Sequence, residues 1–555
     1  MNLAGSGCGS GISGIKSGRG EICCVKGCGK CGGSGCGAID GYTADECCEG
    51  NIESSGVLCE DTGEAPCIID TSILWGTLPN PSPSPIMTIP SSCNIGLPSI
   101  RFVDSTGSNG RVYVEGDGCV TMTDIYEALK AQEDYWGSKG VIGVLDSRGH
   151  LKSNPSRYTN KWLLNCDLYI LDGAVFYCRG SNIGGDCDEL RIHSGSKHFE
   201  LRGHGGSLYF ESTEVTSWDT SNKRPKESYG SGRSFICCLS EKAGDETCKG
   251  ASDEYYGECR MDIINSKIGY LGFDNSESYG LTWKVRGYCD DGSNPEVFDR
   301  TNVYGNIMGS EIYENYYGMY TYGHQGGVWT NNRVYDNHQY GFDPHDDSDY
   351  LTIANNKVYN NVNHGIIASK RCNNVMIYGN EVYNGGKYAA GIYLHRSSDN
   401  AIVHNNYVHD IRDGGITIME SFDIEVYDNV VKDVDFGIRI TTGGSRNYIH
   451  DNYFDSCSRA GFYTYKGSEK PDASDDGRLE DNEFVDNDVR NTAMGVYLRD
   501  MDRTLIEGNT FTGTKRLEFN DVKDTTWKDN DLPKRACLKA EDSTFTGEEP
   551  AESCY

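Results

Sequence analysis

The sequence predicts an all-β chain, a right-handed parallel β-helix with a short N-terminal capping helix, preceded by a small disulfide-rich module. Three observations carry this. Asn recurs at 332, 356, 380, 406, 429, 452, 482 and 509, each with a large apolar residue two positions on, from Val334 to Phe511. Gly recurs in phase with it at 318, 341, 365, 391, 415, 437, 461 and 495. The Asn steps are 23 to 26 residues until insertions lengthen the last two, and neither a Leu consensus nor helical amphipathic spacing accompanies them, which excludes leucine-rich and helical repeats. Short alternating runs punctuated by Gly and Asn suit strands that coil, with Asn side chains bonding from one turn to the next.

The elements follow in chain order. Ten of 24 Cys fall between Cys8 and Cys67, so residues 1–70 read as a Cys/Gly-rich module in which disulfides replace a small core. Cys28 and Cys31 form a CxxC, but no second well-spaced pair completes a zinc site, and an oxidising, extracellular compartment is expected. The first residues, MNLAGSGCGSGISG, lack the charged start and apolar stretch of a secretion signal, so a leader is expected to have been removed or to lie outside this sequence. Residues 71–97, with PNPSPSP, read as a stiff linker. TDIYEALKAQEDYW (123–136) reads as the capping helix, its start marked by Asp124 and Glu127 and its buried face by Ile125, Ala128, Leu129 and Gln132. The β-helix is expected over 98–530, and 531–555 reads as a loosely held acidic tail tied by Cys537 and Cys554.

A net charge of −31 excludes nucleic acid and anionic membranes as partners, and no apolar run is long enough to span a bilayer. A monomer is expected. Any acidic ligand then needs a local basic strip. After each series Gly the odd positions are apolar or small and face the core, so the even ones face out. Successive turns present Tyr320 and Tyr322, Asp343 and His345, Ile367 and Ser369, Tyr393 and His395, Thr417 and Met419, Arg439 and Thr441. The residues after these pairs add Asp346, Lys370, Arg396 and Glu420, and those before the Gly add Tyr340 and His364. With Arg371 and Arg412, this gives a groove rich in Tyr, His and cations, suited to an extended anionic glycan. His345 stands apart from an ordinary surface histidine because Asp343 can orient it, Tyr340 lies across the turn, and Pro344 interrupts strand pairing.

In a uronic-acid polymer the C5 hydrogen, alpha to a carboxylate, is hardly acidic. Its removal needs a cation to neutralise the carboxylate, a base on one face, and an acid on the other face or at the leaving oxygen. Lys370 or Arg371 can neutralise, His345 can act as base and Tyr340 as donor. Reprotonation from the other face inverts C5; loss of the O4-linked sugar cleaves the chain. Residue types alone do not separate the two.

YGFDPHD (340–346), HGIIASK (364–370), ELRGHGGSLYFESTEVTSWDT (200–220), RMDIINSKIGYLGFDNSESYGLTWKVRG (260–287) and GMYTYG (318–323) resemble the mannuronan C5-epimerases, which convert D-mannuronate to L-guluronate within alginate. The resemblance covers roughly 160–515. It implies His345 and Tyr340 as the acid/base pair supported by Asp343, with water as the alternative second donor. The outward alternation itself puts Tyr320, Tyr322, Asp346, His364, Arg371, His395, Arg396, Arg412 and Arg439 along the substrate. Lys370 stands where bacterial periplasmic members carry a carboxylate-neutralising arginine, a departure because Lys lacks the bidentate fork. No GGxGxD nonapeptide occurs, so calcium is possible but not indicated, and no cofactor or metal is expected. The pattern CCxxxCGxCGGxGC (Cys23 to Cys36) is similar to the module on brown-algal members, which implies a cell wall or apoplast location and alginate as partner.

Three rivals remain. One is an alginate lyase acting by β-elimination through the same first step. Another is a non-catalytic alginate-binding wall protein, which has little use for a base beside a phenol. The last is a calcium-dependent pectate-lyase-like enzyme, which needs outward carboxylates on adjacent turns, whereas Asp343, Asp346 and Asp347 share one.

Overall fold

The computed structural model describes residues 96–547 apart from 104–109, 133–140, 153–156, 231, 242–255, 276, 287–300, 472–475 and 534–535, together with the strands Ile12–Ser17 and Gly20–Val25. Those two strands pair antiparallel. The rest of the Cys-rich module, the linker and Cys554 lie outside the described residues. Cys537 is disulfide-bonded. The chain divides into two compact units, Ser82–Val375, and Met376–Tyr555 with residues 1–81.

In Ser82–Val375 the chain runs as a three-sided coil, each side a ladder of parallel strands. The first side includes Ala174–Arg179, Ser207–Glu211, Met261–Ile264 and Ile307–Met308. The second includes Glu189–His193, Glu214–Asp219, Lys267–Gly269, Glu311–Tyr313 and Arg333–Tyr335. The third includes Glu200–His204, Phe235–Glu241, Gly280–Arg286, Tyr317–Tyr322, Phe342–His345 and Ile366–Ser369. Parallel strands joined by such crossovers wind right-handed. Two disulfides, Cys178–Cys187 and Cys238–Cys259, link segments of this unit, and Cys166, Cys237, Cys372 and Cys457 are free and buried among the described residues.

Met376–Tyr555 repeats the plan, with Tyr407–Met419 and Val430–Thr441 bending through two sides without a break. The coil does not stop at 530. Cys537–Glu541 and Phe545–Gly547 pair in parallel with the preceding turn, so part of the expected tail is strand.

The helix spans Met122–Lys130 and buries Ile125, Tyr126 and Leu129. Its capping box joins Thr121 to Asp124, not Asp124 to Glu127 as the sequence suggested, because the chain enters the helix earlier than the expected start. No helix among the described residues is long and apolar enough to cross a membrane.

Two buried devices set the spacing of turns. A Cβ on Gly318 would lie 2.3 Å from the Gly341 carbonyl, one on Gly341 2.5 Å from that of Gly365, and one on Gly437 2.6 Å from that of Gly461. The Gly series marks where backbone rests on backbone. In the second unit Asn380, Asn406, Asn429, Asn452, Asn487, Asn509 and Asn530 form one chain of amide bonds, Nδ2 to the next Oδ1, at 2.9–3.0 Å. Asn482 is not a member. It pairs with Asn447 at 3.0 Å in a parallel chain, since the insertion after Tyr465 delays the true successor of Asn452 to Asn487. Asn429 accepts from Asn406 and donates to Asn452 and to the Val403 and Tyr427 carbonyls. Asn429→Ala is expected to cost about 3 kcal/mol, since several buried groups lose partners. Urea unfolding will measure it, with exposed Ser468→Ala staying within about 0.5 kcal/mol.

Candidate active site

The third side of Ser82–Val375 aligns Lys284, Tyr322, His345 and Ser369 in one outward column, and Thr282, Tyr320 and Asp343 in its neighbour. A register shift where Gly280–Arg286 meets Tyr317–Tyr322 inserts extra backbone just before Tyr320. Beside these columns Tyr279, Tyr317, Tyr340 and His364 stand on four successive turns, with ring centroids 4.6, 5.2 and 5.5 Å apart. Tyr340 and His364 are stacked with an 11° angle. Tyr279 and Tyr317 were missed in the sequence, although the signal existed. Each precedes a Gly, as Tyr340 and His364 do.

Asp343 lies near this aromatic wall, close enough for its charge to act on Tyr279, Tyr317 and Tyr340. Its strand position faces outward, yet it is 1 % exposed, and Oδ1 has no hydrogen-bond partner. Burial pushes its carboxyl up to about 7; His345 pulls downward, the Asp346 charge raises, and Lys370 pulls downward again. The same burial, with the charge of Asp343, raises the Tyr340 phenol to about 12 and pushes Tyr317 and Tyr320 higher still. The Tyr320 ring lies 5.5 Å from that of His345.

The carboxylate beside His345 is Asp346, not the expected Asp343: Oδ2 lies 2.5 Å from Nδ1, a close ion-pair contact whose angles fall outside hydrogen-bond geometry. Asp346 sits at a turn with φ 33°, which brings its side chain back over the strand it has just left. Burial works against its charge, but His345, Lys370 and Arg371 hold it below the ordinary carboxylate range. Arg371 Nη2 lies 2.8 Å from both Asp346 and Asp347, so its guanidinium is committed behind the histidine. Lys370 is exposed, and its ammonium makes no ion pair or hydrogen bond among the described residues. Both cations occupy left-handed backbone, φ 62° and 59°, a strained turn that a non-glycine residue holds at a cost of about 1–3 kcal/mol each.

Upstream, an ion network that the sequence did not reveal joins Arg202 to Glu200 and Glu277, Arg286 to Glu277 and Glu241, and Lys284 to Glu277. The Lys284 ammonium lies 5.6 Å from the centre of Tyr322. His395, Arg396, Arg412 and Arg439 belong to the other unit. There Arg396 pairs with Glu469 at 2.9 Å, Arg439 with Asp413 at 2.5 Å, and Arg412 is exposed. The structure therefore brings together Tyr320, Tyr322, Tyr340, Asp343, His345, Asp346, His364, Lys370 and Arg371 within one unit.

A parallel β-helix with a cluster of ionisable and aromatic groups on one outward side is the class of protein that fold and site define. Within that class the chain is similar to mannuronan C5-epimerases. Residues 267–431 match the family described as "Right handed beta helix region". A mannuronan C5-epimerase of Pseudomonas putida is 29% identical over 249 residues, 45% of this chain and 43% of that protein. The mannuronan C5-epimerase AlgG of Azotobacter vinelandii is 29% identical over 317 residues, 57% of this chain and 49% of that protein. The match thus spans less than half the length of either relative. The crystal structure of a periplasmic alginate epimerase, AlgG, shares the fold with TM-score 0.55 at 19% identity, over 79% of this chain and 85% of that one.

Asp343 allows a test of the electrostatics. Its folded value near 7 lies above the usual carboxylate value of about 4. Between those values the folded protein keeps a proton that the unfolded chain has released, so stability falls as pH rises through the window. Asp343→Asn removes that loss. Relative to wild type, its thermal midpoint is expected to gain more at pH 8 than at pH 4 by scanning calorimetry; equal changes would mean that Asp343 is charged in the fold.

Proposed function

We propose that the chain epimerises D-mannuronate to L-guluronate within alginate. One observation carries the reading: an uncommitted Lys370 ammonium stands in the same cluster as an oriented imidazole and a phenol held in its protonated form.

The steps follow from those states. With Nδ1 engaged by Asp346, Nε2 of His345 is the nitrogen that takes the C5 proton. The electron pair left on C5 delocalises into the carboxylate, and Lys370 offsets the added charge. Tyr340, with a phenol near 12, is unsuited to act as a base at neutral pH and supplies the proton to the opposite face. His345 then returns its proton to solvent, and Tyr340 regains one. Below pH 7 the protonated Asp343 keeps a further negative charge away from the uronate. Arg371, drawn into the carboxylates behind His345, is the poorer candidate for neutraliser.

The likeness to proteins named mannuronan C5-epimerases favours inversion over chain cleavage, and the periplasmic relative supports an exported protein acting on alginate. A wall or apoplast setting, with residues 1–70 as a disulfide module on a linker, rests on the sequence.

Polymannuronate incubated with the protein in D₂O is expected to show guluronate signals with deuterium at C5 by NMR and no rise in the ultraviolet absorbance of unsaturated uronate. Rising absorbance would make the protein a lyase; silence in both would leave a binder. His345→Ala and Tyr340→Phe should each lose about 10²–10⁴-fold in kcat with unchanged circular dichroism. Lys370→Ala should lower kcat and raise KM, with Lys370→Arg recovering part of both. Wild-type rates in Lys370→Ala would return the neutralising role to Arg371.

A further inference from the structure

The cations that the sequence placed on the outward side of the Met376–Tyr555 unit are largely paired, but Arg499, which it did not single out, is not. Strands Val430–Thr441, Ala460–Tyr465 and Met494–Asp502 set Arg439, Tyr463 and Tyr497 directly opposite one another on successive turns. Arg499 follows two residues after Tyr497 on the same outward face, its guanidinium carbon 5.9 Å from the Tyr497 ring centre. Among the described residues it makes no ion pair. Nε of Arg499 and Nε of Arg439 are both buried without an acceptor, an arrangement that native structures resolve with water, an ion or a ligand.

The rings around them are stacked on each other. Tyr463 lies 4.3 Å from Phe436, 5.4 Å from Tyr497 and 5.0 Å from Tyr465. Their faces are thus occupied, and what these half-buried phenols offer a ligand is edges and hydroxyl donors. The nearby carboxylates are engaged: Asp413 with Arg439, Glu469 with Arg396, Glu518 with Arg516 at 2.8 Å, and Asp500 with the backbone N–H of Lys466 at 3.2 Å. The strip is rich in donors and has an unpaired cation on a chain of net charge −31. Three turns span about 10 Å, room for a short oligosaccharide.

We infer that Arg499, Arg439, Tyr463, Tyr465 and Tyr497 form a second binding site for a uronate segment, in a unit other than the one that holds His345. The inference rests on the uronan reading for its ligand class. Arg499 anchors a carboxylate, and the phenols donate to the remaining oxygens.

The test counts ligands. Trimannuronate is titrated by calorimetry into the full chain carrying His345→Ala, which prevents turnover. Two equivalents are expected, falling to one when Arg499→Ala is added and returning to two with Arg499→Lys, with circular dichroism checking the fold. A count that Arg499→Ala leaves untouched overturns the site, whereas a single equivalent that Arg499→Ala abolishes keeps it and removes binding at the His345 cluster. Epimerisation is read separately by NMR on the wild type, so two equivalents without epimerisation would sink the catalytic reading and keep this one.

Discussion

The third side of the coil depends on buried asparagine amides that fix one turn against the next. Asn315, Asn337 and Asn361 stand two or three residues before Tyr317, Tyr340 and His364. The Asn315 N–H donates to Asn337 Oδ1 at 3.0 Å, and Asn337 Nδ2 to Asn361 Oδ1 at 2.8 Å. A primary amide donates from its nitrogen and accepts at its oxygen, so one asparagine can pass the bond to the next turn. Because these amides have almost no exposure, a slip of one turn would leave several buried polar groups unpaired at once. The aromatic column beside the site inherits its spacing from that penalty.

Charge is then distributed against this rigid frame. The chain is strongly acidic, and many of its arginines are compensated by carboxylates. Arg371, Arg396, Arg439 and Arg478 are all drawn into carboxylates, which makes them parts of the scaffold. Among the described residues Lys370 and Arg499 make no ion pair. The distinction is one of partners rather than residue type, since an exposed ion pair contributes little stability yet fully occupies its cation.

That distinction marks the limit of what the sequence made legible. The period, the inward and outward alternation, and the membership of Tyr340, Asp343, His345 and Lys370 in one neighbourhood could all be read, because strand alternation and a fixed turn length determine them. What could not be read depends on side chains reaching across turns. Asp346 rather than Asp343 meets His345 because a left-handed turn folds it back, and nothing in the order of letters distinguishes that backbone. Asp343 is buried, although its position faces outward, with Tyr317, Tyr320 and Tyr340 close enough to feel its charge. Asn487 replaced Asn482 because an insertion broke the even step on which the reading relied.

The burial of Asp343 ties these points together. An outward carboxylate on a solvated strand would ionise near 4 and place a fixed negative charge beside His345. Buried close to Tyr317, Tyr320 and Tyr340, it holds its proton to about 7, and once ionised its charge raises those phenols. Such burial costs stability, because an isolated buried carboxyl and a turn of left-handed Lys and Arg are both unfavourable in themselves. A long coil of close-packed glycines and amide chains can bear that cost locally, and the site occupies the part of the fold where the frame is strong enough to hold unfavourable groups in place.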